Sequence, residues 1–356
     1  MKTDYIIAGQ GIAGTMLAYH LEKAGKKVIV ADPELAITPS AIAAGIMNPV
    51  TGRRLVKSWM AEELFAYAHT IYPEMEKFLG TSFYRACNIY KVFGNQKTWN
   101  DWLKKARQPE MKPFLPEEKP VTLDSSQFHN PYGSLLISEA GRVDIKKLVL
   151  CYRNYLKSKN RFFKESVREK DLQFGDNYVK WKGIEARKLL VSTGYFLREF
   201  PYLQDLPLRP SKGETLYFRA SLPEEDIINK GVHILPLGNG FFKAGATNEW
   251  HYNSEHPSQQ GRDFLIDKID RLIKVPRTII AHKSGIRPST FDRKPLIGVH
   301  PDHPQTGIFT GLGSKGATLA PWFAQKFVNH LLFDEDIPSE ASVARAFADP
   351  QEKSAG

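Results

Sequence analysis

The sequence predicts an α/β fold in which a parallel-sheet domain with a βαβ start holds an inserted α+β domain built on a mostly antiparallel sheet. At the N-terminus, residues 4–8, 12–24 and 27–31 have the patterns of a strand, a helix and a strand. Strand and helix patterns alternate again in two later blocks, and strand-rich sequence separates the blocks. A chain of 356 residues is long enough for two closely joined domains with a substantial core.

Beyond this N-terminal unit, the spacing of apolar residues predicts the other elements. The predicted helices are 59–80, 143–156, 261–273 and 316–332, and the predicted strands are 83–93, 162–166, 189–192, 216–219, 232–235, 241–246 and 308–310. We expect a proline-rich loop over about 108–132 and a polar, mobile tail after Asp334. This order assigns 1–80, 136–205 and 281–345 to the parallel-sheet domain, 81–135 and 206–280 to the inserted substrate domain, and 346–356 to the polar tail.

Composition narrows the class of protein. The hydrophobic fraction of 42% and the charged fraction of 25% are typical of a globular protein, and the formal charge of +10 favours an acidic partner: a carboxylate substrate, nucleic acid or an anionic surface. Cys87 and Cys151 lie far apart in the sequence, which argues against a disulfide framework, a zinc site or an iron–sulfur cluster. No apolar run approaches the ~18 residues of a membrane helix, and the N-terminus leads directly into a strand. We therefore expect a cytoplasmic protein with no membrane segment and no metal site.

The strongest motif lies between the first strand and the first helix and reads Gly9-Gln10-Gly11-Ile12-Ala13-Gly14. In this context G-x-G-x-x-G predicts a Rossmann-like dinucleotide site. Gly9 permits a tight turn, Gly11 lets the backbone approach a pyrophosphate, and Gly14 lets the helix pack closely on the strand. The helix N-terminus then points its positive dipole end at the phosphates, and Asp32, after the second strand, is placed to bind ribose hydroxyls. This unit serves NAD and FAD alike and does not choose between them.

A second glycine motif, Gly311-Leu312-Gly313-Ser314-Lys315-Gly316, also joins a strand to a helix. No strand ending in an acidic residue follows it at the right distance, so it is not a second dinucleotide unit. It can aim backbone N–H groups and a helix dipole at developing negative charge, and a reduced flavin carries such charge at N1 and O2. We therefore predict that this helix start stabilises a reduced isoalloxazine ring; an ordinary tight turn is the alternative.

Together these motifs resemble the D-amino-acid oxidase family of FAD-dependent oxidoreductases, nearest to its glycine oxidase and sarcosine oxidase branch. The resemblance covers most of the chain and rests on the order and spacing of short pieces. Besides the two glycine motifs, the pieces are 40–45, 141–144, 192–194, 212–214, 241–247, 285–288, Asp292, Pro295, 297–298 and 320–321.

The resemblance implies FAD bound in an extended form, with the flavin ring at the domain boundary. It implies that the backbone of Val167, at the end of the strand 162–166, contacts the adenine; a plain core valine is the alternative. The residues expected at the FAD are Gly9, Gly11, Ile12, Ala13, Gly14, Asp32, Pro33, Ser40, Ala44, Gly45, Val167, Thr193, Gly194, Gly313, Ser314, Lys315, Gly316, Ala317 and Thr318, of which Ser40, Ala44 and Gly45 are implied near the pyrophosphate or the ring. Sarcosine-type enzymes attach FAD through a cysteine, but no cysteine lies near 287–294, so non-covalent FAD is expected.

Three side chains are candidates for catalysis and substrate binding. In the glycine oxidase branch the arginine of a Gly-x-Arg-Pro turn holds the substrate carboxylate, which implies this role for Arg287; a structural pairing with Asp292 or another acid is the alternative. His233 stands where related oxidases place a substrate-contacting tyrosine, and it is expected to donate to a carboxylate or titrate near neutral pH, or else to be a satisfied core or rim histidine. Lys243 matches a lysine that promotes reaction with oxygen in sarcosine oxidases, and a solvated strand lysine is its alternative.

We therefore expect a FAD-dependent oxidoreductase that takes hydride from the C–H beside nitrogen of a small amine or amino acid, forms an imine and passes electrons to oxygen or another acceptor. Ser314 stands where glycine oxidases have a second arginine, so a substrate without a carboxylate stays open. The alternatives are a flavoprotein acting on a modified tRNA nucleoside, which the positive charge would suit, a dehydrogenase using NAD or a quinone, and a non-catalytic binding protein. Nucleic acid is thus an open but not a favoured partner, and the sequence leaves the oligomeric state undetermined.

Overall fold

The computed structural model describes residues 1–52, 54–117 and 119–347. Its α-helices are α1 (Ile12–Lys23), α2 (Pro39–Ile42), α3 (Ala61–Leu79), α4 (Gln96–Ala106), α5 (Ile145–Ser158), α6 (Gln259–Asp270), α7 (Gly316–Phe333) and α8 (Ala344–Phe347). Its strands are β1 (Tyr5–Ala8), β2 (Val28–Ala31), β3 (Ile46–Met47), β4 (Val50–Thr51), β5 (Val56–Lys57), β6 (Tyr84–Val92), β7 (Ser134–Val143), β8 (Phe162–Phe163), β9 (Leu172–Phe174), β10 (Val179–Trp181), β11 (Ile184–Ala186), β12 (Lys188–Val191), β13 (Ser211–Ala220), β14 (Ile227–Asn229), β15 (His233–Gly238), β16 (Phe241–Gly245), β17 (Arg277–Arg287), β18 (Leu296–Val299) and β19 (Thr306–Thr310).

The first sheet has six strands in the order β18-β19-β12-β1-β2-β8. The five strands from β19 to β8 run parallel, whereas the edge strand β18 pairs antiparallel with β19. All residues of β1 and β2 are buried, as expected for a parallel sheet covered on both faces. The strand order reverses between β1 and β12, so the loops that follow these two strands run in opposite directions and leave a crevice at the carboxyl ends of the strands. Open α/β sheets bind their ligands at such a crevice.

The second sheet has eight strands in the order β17-β13-β16-β15-β14-β6-β7-β3. Its neighbours pair antiparallel except for β14 and β6, which run parallel. A parallel sheet joined to a mostly antiparallel one confirms the predicted fold class. β7 and β17 run across residues 136 and 281, where we predict domain boundaries, so this sheet draws on both predicted units and the division itself stays a prediction.

Several predicted elements have different bounds in the structure, and two of them border the cavity described below. The helix predicted from residue 143 begins at Ile145, because Val143 still belongs to β7 and Asp144 caps the helix by accepting a hydrogen bond of 3.0 Å from the Lys147 N–H. The strand predicted over 162–166 comprises the two residues of β8 alone. None of the helices in the described part of the chain combines the length and the apolar composition needed to span a bilayer.

The predicted mobile tail after Asp334 is wrong as far as residue 347. Ala341 and Val343 are 0% and 1% exposed, and both bond to the backbone of Ile297 in β18: the Ile297 N–H donates to the Ala341 carbonyl at 2.9 Å, and the Val343 N–H donates to the Ile297 carbonyl at 2.7 Å. This segment therefore covers the antiparallel edge of the six-stranded sheet. Residues 348–356 of the predicted polar tail lie outside the described residues.

Candidate functional site

A cavity of about 1220 Å³ lies where the carboxyl ends of the parallel strands meet one face of the eight-stranded sheet. It exceeds the roughly 300–1,000 Å³ of most small-molecule pockets. Of the residues that the sequence predicts for the cofactor and the chemistry, those that line this cavity are Gly9, Gly11, Ile12, Ala13, Asp32, Pro33, Ser40, Ala44, Gly45, Val167, Thr193, Gly194, His233, Lys243, Arg287, Gly313, Ser314, Lys315, Gly316, Ala317 and Thr318. Gly14 does not line it, because it faces the β1 turn instead.

The turn after β1 is too crowded for any side chain. Gly9 has a φ of +91°, and a Cβ there would lie 2.8 Å from the carbonyl oxygen of Ser192. A Cβ at Gly14 would lie 2.0 Å from the carbonyl oxygen of Gly9, which is the close helix–strand approach that the motif requires. α1 therefore starts directly over the end of β1, with its N-terminus at the cavity.

The N-terminus of α1 also meets the short helix α2, which follows the βαβ unit. Ser40, in α2, accepts a hydrogen bond of 3.1 Å from the Ile12 N–H through its Oγ. A Cβ at Gly11 would lie 2.9 Å from the same oxygen. Ser40 and Gly11 thus form one polar wall of the cavity at the positive end of a helix dipole.

Asp32 is held at the end of β2 by its neighbours. Its Oδ2 accepts from the Gln10 N–H at 2.7 Å, its Oδ1 accepts from the Glu34 N–H at 2.8 Å, and the Arg153 guanidinium lies 3.5 Å from Oδ1. A carboxylate has about four lone-pair sites, so acceptor capacity remains for hydroxyl donors in the cavity. The sequence did not single out Arg153, although its spacing of four residues from Val149 puts both on the side of α5 that lines the cavity.

The second glycine turn lies beside the first. A Cβ at Gly316, the first residue of α7, would lie 3.2 Å from Cγ2 of Ile12, the first residue of α1. Among the described residues, no backbone carbonyl accepts a hydrogen bond from the N–H groups of Gly316 and Ala317. Two helix N-termini therefore open side by side on the same cavity, each with free donors for negative charge.

Lys243 lies at the opposite wall, in the middle of β16. Its side chain is buried, with the whole residue 6% exposed, and Nζ donates to the carbonyls of Ile42 at 2.9 Å and Ala43 at 3.0 Å. The burial excludes the alternative of a solvated strand lysine. Burial lowers the pKa of Lys243 to about 8; Asp144 opposes this shift, and the cations Lys283, Arg142 and Lys146 add to it.

Arg287 is the last residue of β17, not part of a turn as the sequence predicted; the turn begins at Pro288. Its guanidinium donates to the Thr247 carbonyl at 3.2 Å and to Asn248 Oδ1 at 3.3 Å, and it lies flat against Gly213, where a Cβ would be 1.8 Å from Nη2. The alternative pairing with Asp292 is wrong, because that carboxylate binds Arg345 at 2.7 Å. Burial lowers the pKa of Arg287, but a guanidinium remains charged at neutral pH. The cavity thus contains a cation whose recorded partners are neutral.

His233 lies on the same face of the eight-stranded sheet. Register aligns Thr215, Gly245 and His233 in one row across β13, β16 and β15, and aligns Tyr217, Lys243 and Leu235 in a parallel row. Burial lowers the pKa of His233 to about 4, and the charge of Lys91 adds to the effect. This lowered pKa favours a neutral imidazole over titration near neutral pH. Its Nε2 is buried without a hydrogen-bond partner in the described part of the chain.

Two further predicted residues line the cavity near the parallel sheet. Thr193 follows β12, and its Oγ1 is buried with no hydrogen-bond partner in the described ranges, so it is open to a ligand. Val167 is 6% exposed and belongs to the hydrophobic cluster that also contains Ile6, Ala31 and Leu189, so it is part of the core while it borders the cavity. Contact between its backbone and adenine stays a prediction.

The sequence reasoning missed Thr215, which lines the cavity beside His233 and Gly245. The signal was available: Gly213, Thr215 and Tyr217 alternate along one strand, and alternate residues of a strand face the same side. The strand predicted from the sequence begins at Leu216 and therefore leaves out Gly213 and Thr215, so the alternation of these residues with Tyr217 is not part of the prediction. Neither Cys87 nor Cys151 lines the cavity.

Comparison with known proteins agrees with this geometry. Residues 4–329 match the family model described as DAO, FAD dependent oxidoreductase. A glycine oxidase of Pseudomonas putida is 23% identical over 375 residues, which cover 97% of this chain and 98% of that protein. The tRNA 5-methylaminomethyl-2-thiouridine biosynthesis bifunctional protein MnmC of Marinobacter nauticus is 29% identical over 169 residues, which cover 42% of this chain and 26% of that protein.

The fold recurs in solved structures. The crystal structure of a glycine oxidase from Bacillus cereus superposes with a TM-score of 0.79 at 17% sequence identity, over 94% of this chain and 96% of that chain. At this identity the likeness concerns the fold, and it extends over both sheets.

Proposed function

This chain belongs to the DAO family of FAD-dependent oxidoreductases, and on that premise we propose that it oxidises a small amine or amino acid at the C–H beside nitrogen. One observation carries the proposal: the half-buried guanidinium of Arg287, whose hydrogen-bond partners in the described part of the chain are neutral, lines the same cavity as the two helix N-termini. A guanidinium in this state is suited to a carboxylate, which it can bind through two parallel charge-assisted hydrogen bonds.

The residues present fit FAD bound without a covalent link. The glycine turns at Gly9 and Gly11 leave no room for side chains beside the helix start. Among the described residues the buried Thr193 Oγ1 has no hydrogen-bond partner, and the N–H groups of Gly316 and Ala317 donate to no backbone carbonyl, so they can bind an anionic ring. No cysteine lines the cavity to form a bond to the ring. Asp32 would bind the ribose, and the start of α1 would bind the pyrophosphate.

When bound, FAD supplies an acceptor for the two electrons and the hydrogen that leave the substrate carbon. The chain's own residues position the substrate: Arg287 holds the carboxylate, and the missing side chain of Gly213 leaves the room in which the Arg287 guanidinium lies. The substrate amine enters uncharged so that its lone pair forms the C=N bond as the C–H bond breaks, and the imine product is then hydrolysed by water. His233 is neutral, so it can accept or donate one hydrogen bond without adding a second charge.

We further propose oxygen as the acceptor that restores FAD. Lys243 is the supporting residue, because a buried ammonium stabilises the negative charge that forms as oxygen takes up an electron. The two unpaired cysteines support a reducing, cytoplasmic location.

Anaerobic reduction of the purified protein tests the proposal. We expect a yellow protein whose visible absorbance bleaches when one member of a panel of amino acids and N-methyl amines is added without oxygen, and returns when air is admitted. A colourless protein that takes up NAD would contradict it. If the absorbance bleaches but does not return in air, the proposed substrate class stands, and the electron acceptor is a compound other than oxygen.

A modified tRNA nucleoside is the second candidate substrate. The partial match to the tRNA-modifying protein favours it. So do the cations Arg54, Lys91 and Lys105, which surround the loop that brings Thr51 and Gly52 to the cavity. Lys91 Nζ donates to the Gly52 carbonyl at 2.7 Å, and Lys105 Nζ donates to the Arg54 carbonyl. Binding of this kind weakens steeply with salt. A tRNA complex in a gel shift that dissociates as salt rises, with bleaching by tRNA and not by free amino acids, would select this candidate.

A further inference from the structure

Helix α7 contains a proline one turn after its start, and this leaves a carbonyl without its helical partner. In an α-helix the N–H of residue 321 would donate to the carbonyl of residue 317, but Pro321 has no N–H. A buried carbonyl left without a donor is costly, so the carbonyl of Ala317 needs a partner from outside the helix.

Tyr72 supplies that partner. Its hydroxyl, carried by α3, donates to the Ala317 carbonyl at 2.5 Å, and both residues are buried, at 0% and 3% exposure. The ring is fixed by stacking on Tyr84, with centroids 5.7 Å apart and planes 16° from parallel. Burial raises the pKa of Tyr72, so the hydroxyl stays protonated and remains a donor over the whole working pH range.

The bonded peptide belongs to the turn whose free donors face the cavity. The Ala317 carbonyl is one residue beyond the N–H of Gly316, and the Thr318 N–H turns back to the Lys315 carbonyl at 3.0 Å, so a single turn contains both the bonded carbonyl and the free N–H groups. A change in the tilt of this turn would re-aim the N–H groups of Gly316 and Ala317.

We infer that Tyr72 is a positioning residue for the flavin site: its hydroxyl replaces the donor that Pro321 lacks and so fixes the first turn of α7 where that turn meets the ring. The inference rests on the proposed function, because it assigns Tyr72 an effect on bound flavin. Tyr72 touches neither the cavity nor the reacting atoms, since it does not line the cavity.

The test uses sulfite, which adds to the ring of a bound flavin and reports how well the protein stabilises negative charge there. In the FAD-loaded protein, Tyr72→Phe removes one hydrogen bond and keeps the stacked ring, and we expect sulfite to bind roughly fivefold more weakly. Tyr72→Phe combined with Pro321→Ala restores an N–H at residue 321 for the same carbonyl, and sulfite affinity should return to within about twofold of the original. Tyr84→Phe is the matched control: it removes a tyrosine hydroxyl that bonds to His69 and not to α7, so sulfite affinity should not change.

Each outcome decides one point. If sulfite affinity is unchanged in Tyr72→Phe, or if Pro321→Ala does not restore it, the positioning role is wrong while the proposed function stands. If the protein binds no FAD, the proposed function fails. Thermal unfolding then tests separately whether the hydrogen bond from Tyr72 to the Ala317 carbonyl stabilises α7. A lower unfolding midpoint in Tyr72→Phe that Pro321→Ala restores supports the anchoring of α7 by Tyr72, and any other pattern overturns it.

Discussion

At the scale of single residues, burial distinguishes the cations of the cavity from the many that give the chain its charge of +10. Most lysines and arginines are exposed or paired, as Lys23 is with Glu74 and Arg345 with Asp292. Lys243 is buried and Arg287 is half-buried, and in the described part of the chain both bond to neutral oxygens instead. A cation withdrawn from water without a counter-ion costs stability, and an anionic ligand bound in the cavity would offset that cost.

Arg287→Ala should weaken the binding of a carboxylate substrate. Each lost charge-assisted hydrogen bond is worth about 1.5–3 kcal/mol, so we expect KM to rise on the order of 10- to 100-fold, while an amine without a carboxylate is affected far less. Steady-state kinetics on the substrate found by anaerobic bleaching measures this. Arg345→Ala is the control, because that guanidinium binds Asp292 away from the cavity and its loss should leave KM unchanged. An unchanged KM in Arg287→Ala would mean that Arg287 does not bind the substrate carboxylate and has a structural role instead.

Lys243 should give the oxygen reaction a pH dependence. Burial lowers the pKa of Lys243 from 10.5 to about 8; Asp144 opposes the shift, and the cations Lys283, Arg142 and Lys146 add to it. The ammonium is therefore present below pH 8 and is lost as the pH rises through that value. We expect reoxidation by oxygen to slow above about pH 8. Stopped-flow mixing of the reduced protein with oxygenated buffer measures the rate.

Lys243→Met provides the test of cause. Without the charge, reoxidation should slow by about 10- to 100-fold at neutral pH and lose its pH dependence, while anaerobic reduction by substrate is spared. Lys243→Arg keeps a charge that does not titrate and should flatten the profile at a higher rate. Equal losses in both half-reactions would mean that Lys243 supports the wall of the cavity through its bonds to Ile42 and Ala43 instead.

At the scale of elements, the close packing of α1 on β1 fixes the position of the first helix N-terminus. Gly14→Ala would put a Cβ 2.0 Å from the Gly9 carbonyl oxygen. Relieving this clash requires the backbone of α1 or of the turn after β1 to shift, which costs stability. We expect a loss of about 1–3 kcal/mol or more in stability together with loss of bound FAD, measured by thermal unfolding and visible absorbance. Gly94→Ala, at a glycine with open space and an ordinary φ, is the control and should retain both. Full retention of FAD in Gly14→Ala would contradict the predicted helix–strand contact.

Elements that local chemistry dictates are the ones the sequence predicts well. The two glycine turns, α1 and α7 are marked by glycine motifs that stand in a few consecutive residues, and the contact that crowds Gly14, with the Gly9 carbonyl, is itself local. The sequence does not predict β17, because the polar and apolar residues of this strand do not alternate regularly. Its eleven residues form a strand because they pair with β13 over most of their length. Such long-range pairing leaves little trace in a local pattern.

α4 is a different kind of omission, because a local signal was present. Asn95 caps the helix by accepting from the Thr98 N–H at 2.8 Å, and Trp99, Trp102 and Ala106 follow at helical spacing. The candidate site shows the same division: the cofactor residues lie in short motifs, whereas the partners of Arg287, Thr247 and Asn248, come from the loop that follows β16. Their approach to Arg287 depends on sheet register, which a single sequence does not reveal.

At the scale of the whole molecule, the cavity joins segments that are distant in sequence and belong to different sheets. Its walls come from the ends of β1, β2, β12 and β19 on one side and from β13, β15, β16 and β17 on the other. A ligand that fills this cavity binds both sheets at once, and it binds them only in the folded arrangement. Cofactor binding and the mutual placement of the two sheets are therefore thermodynamically linked.

This linkage predicts a strong effect of FAD on unfolding. A ligand that binds only the native state adds about 2.7 kcal/mol at a hundred times its dissociation constant, so removal of FAD should lower the unfolding midpoint and FAD added back should restore it. Because the ligand contacts both sheets, hydrogen exchange should slow on FAD binding in β16 and β17 as well as around β1 and β2. Free riboflavin and ADP are informative controls, since each fills one end of an extended site and should protect mainly one sheet. Protection by FAD confined to the parallel sheet would show that the flavin end of the cofactor does not reach the face bearing Lys243 and Arg287, and the proposed chemistry would then lose its site.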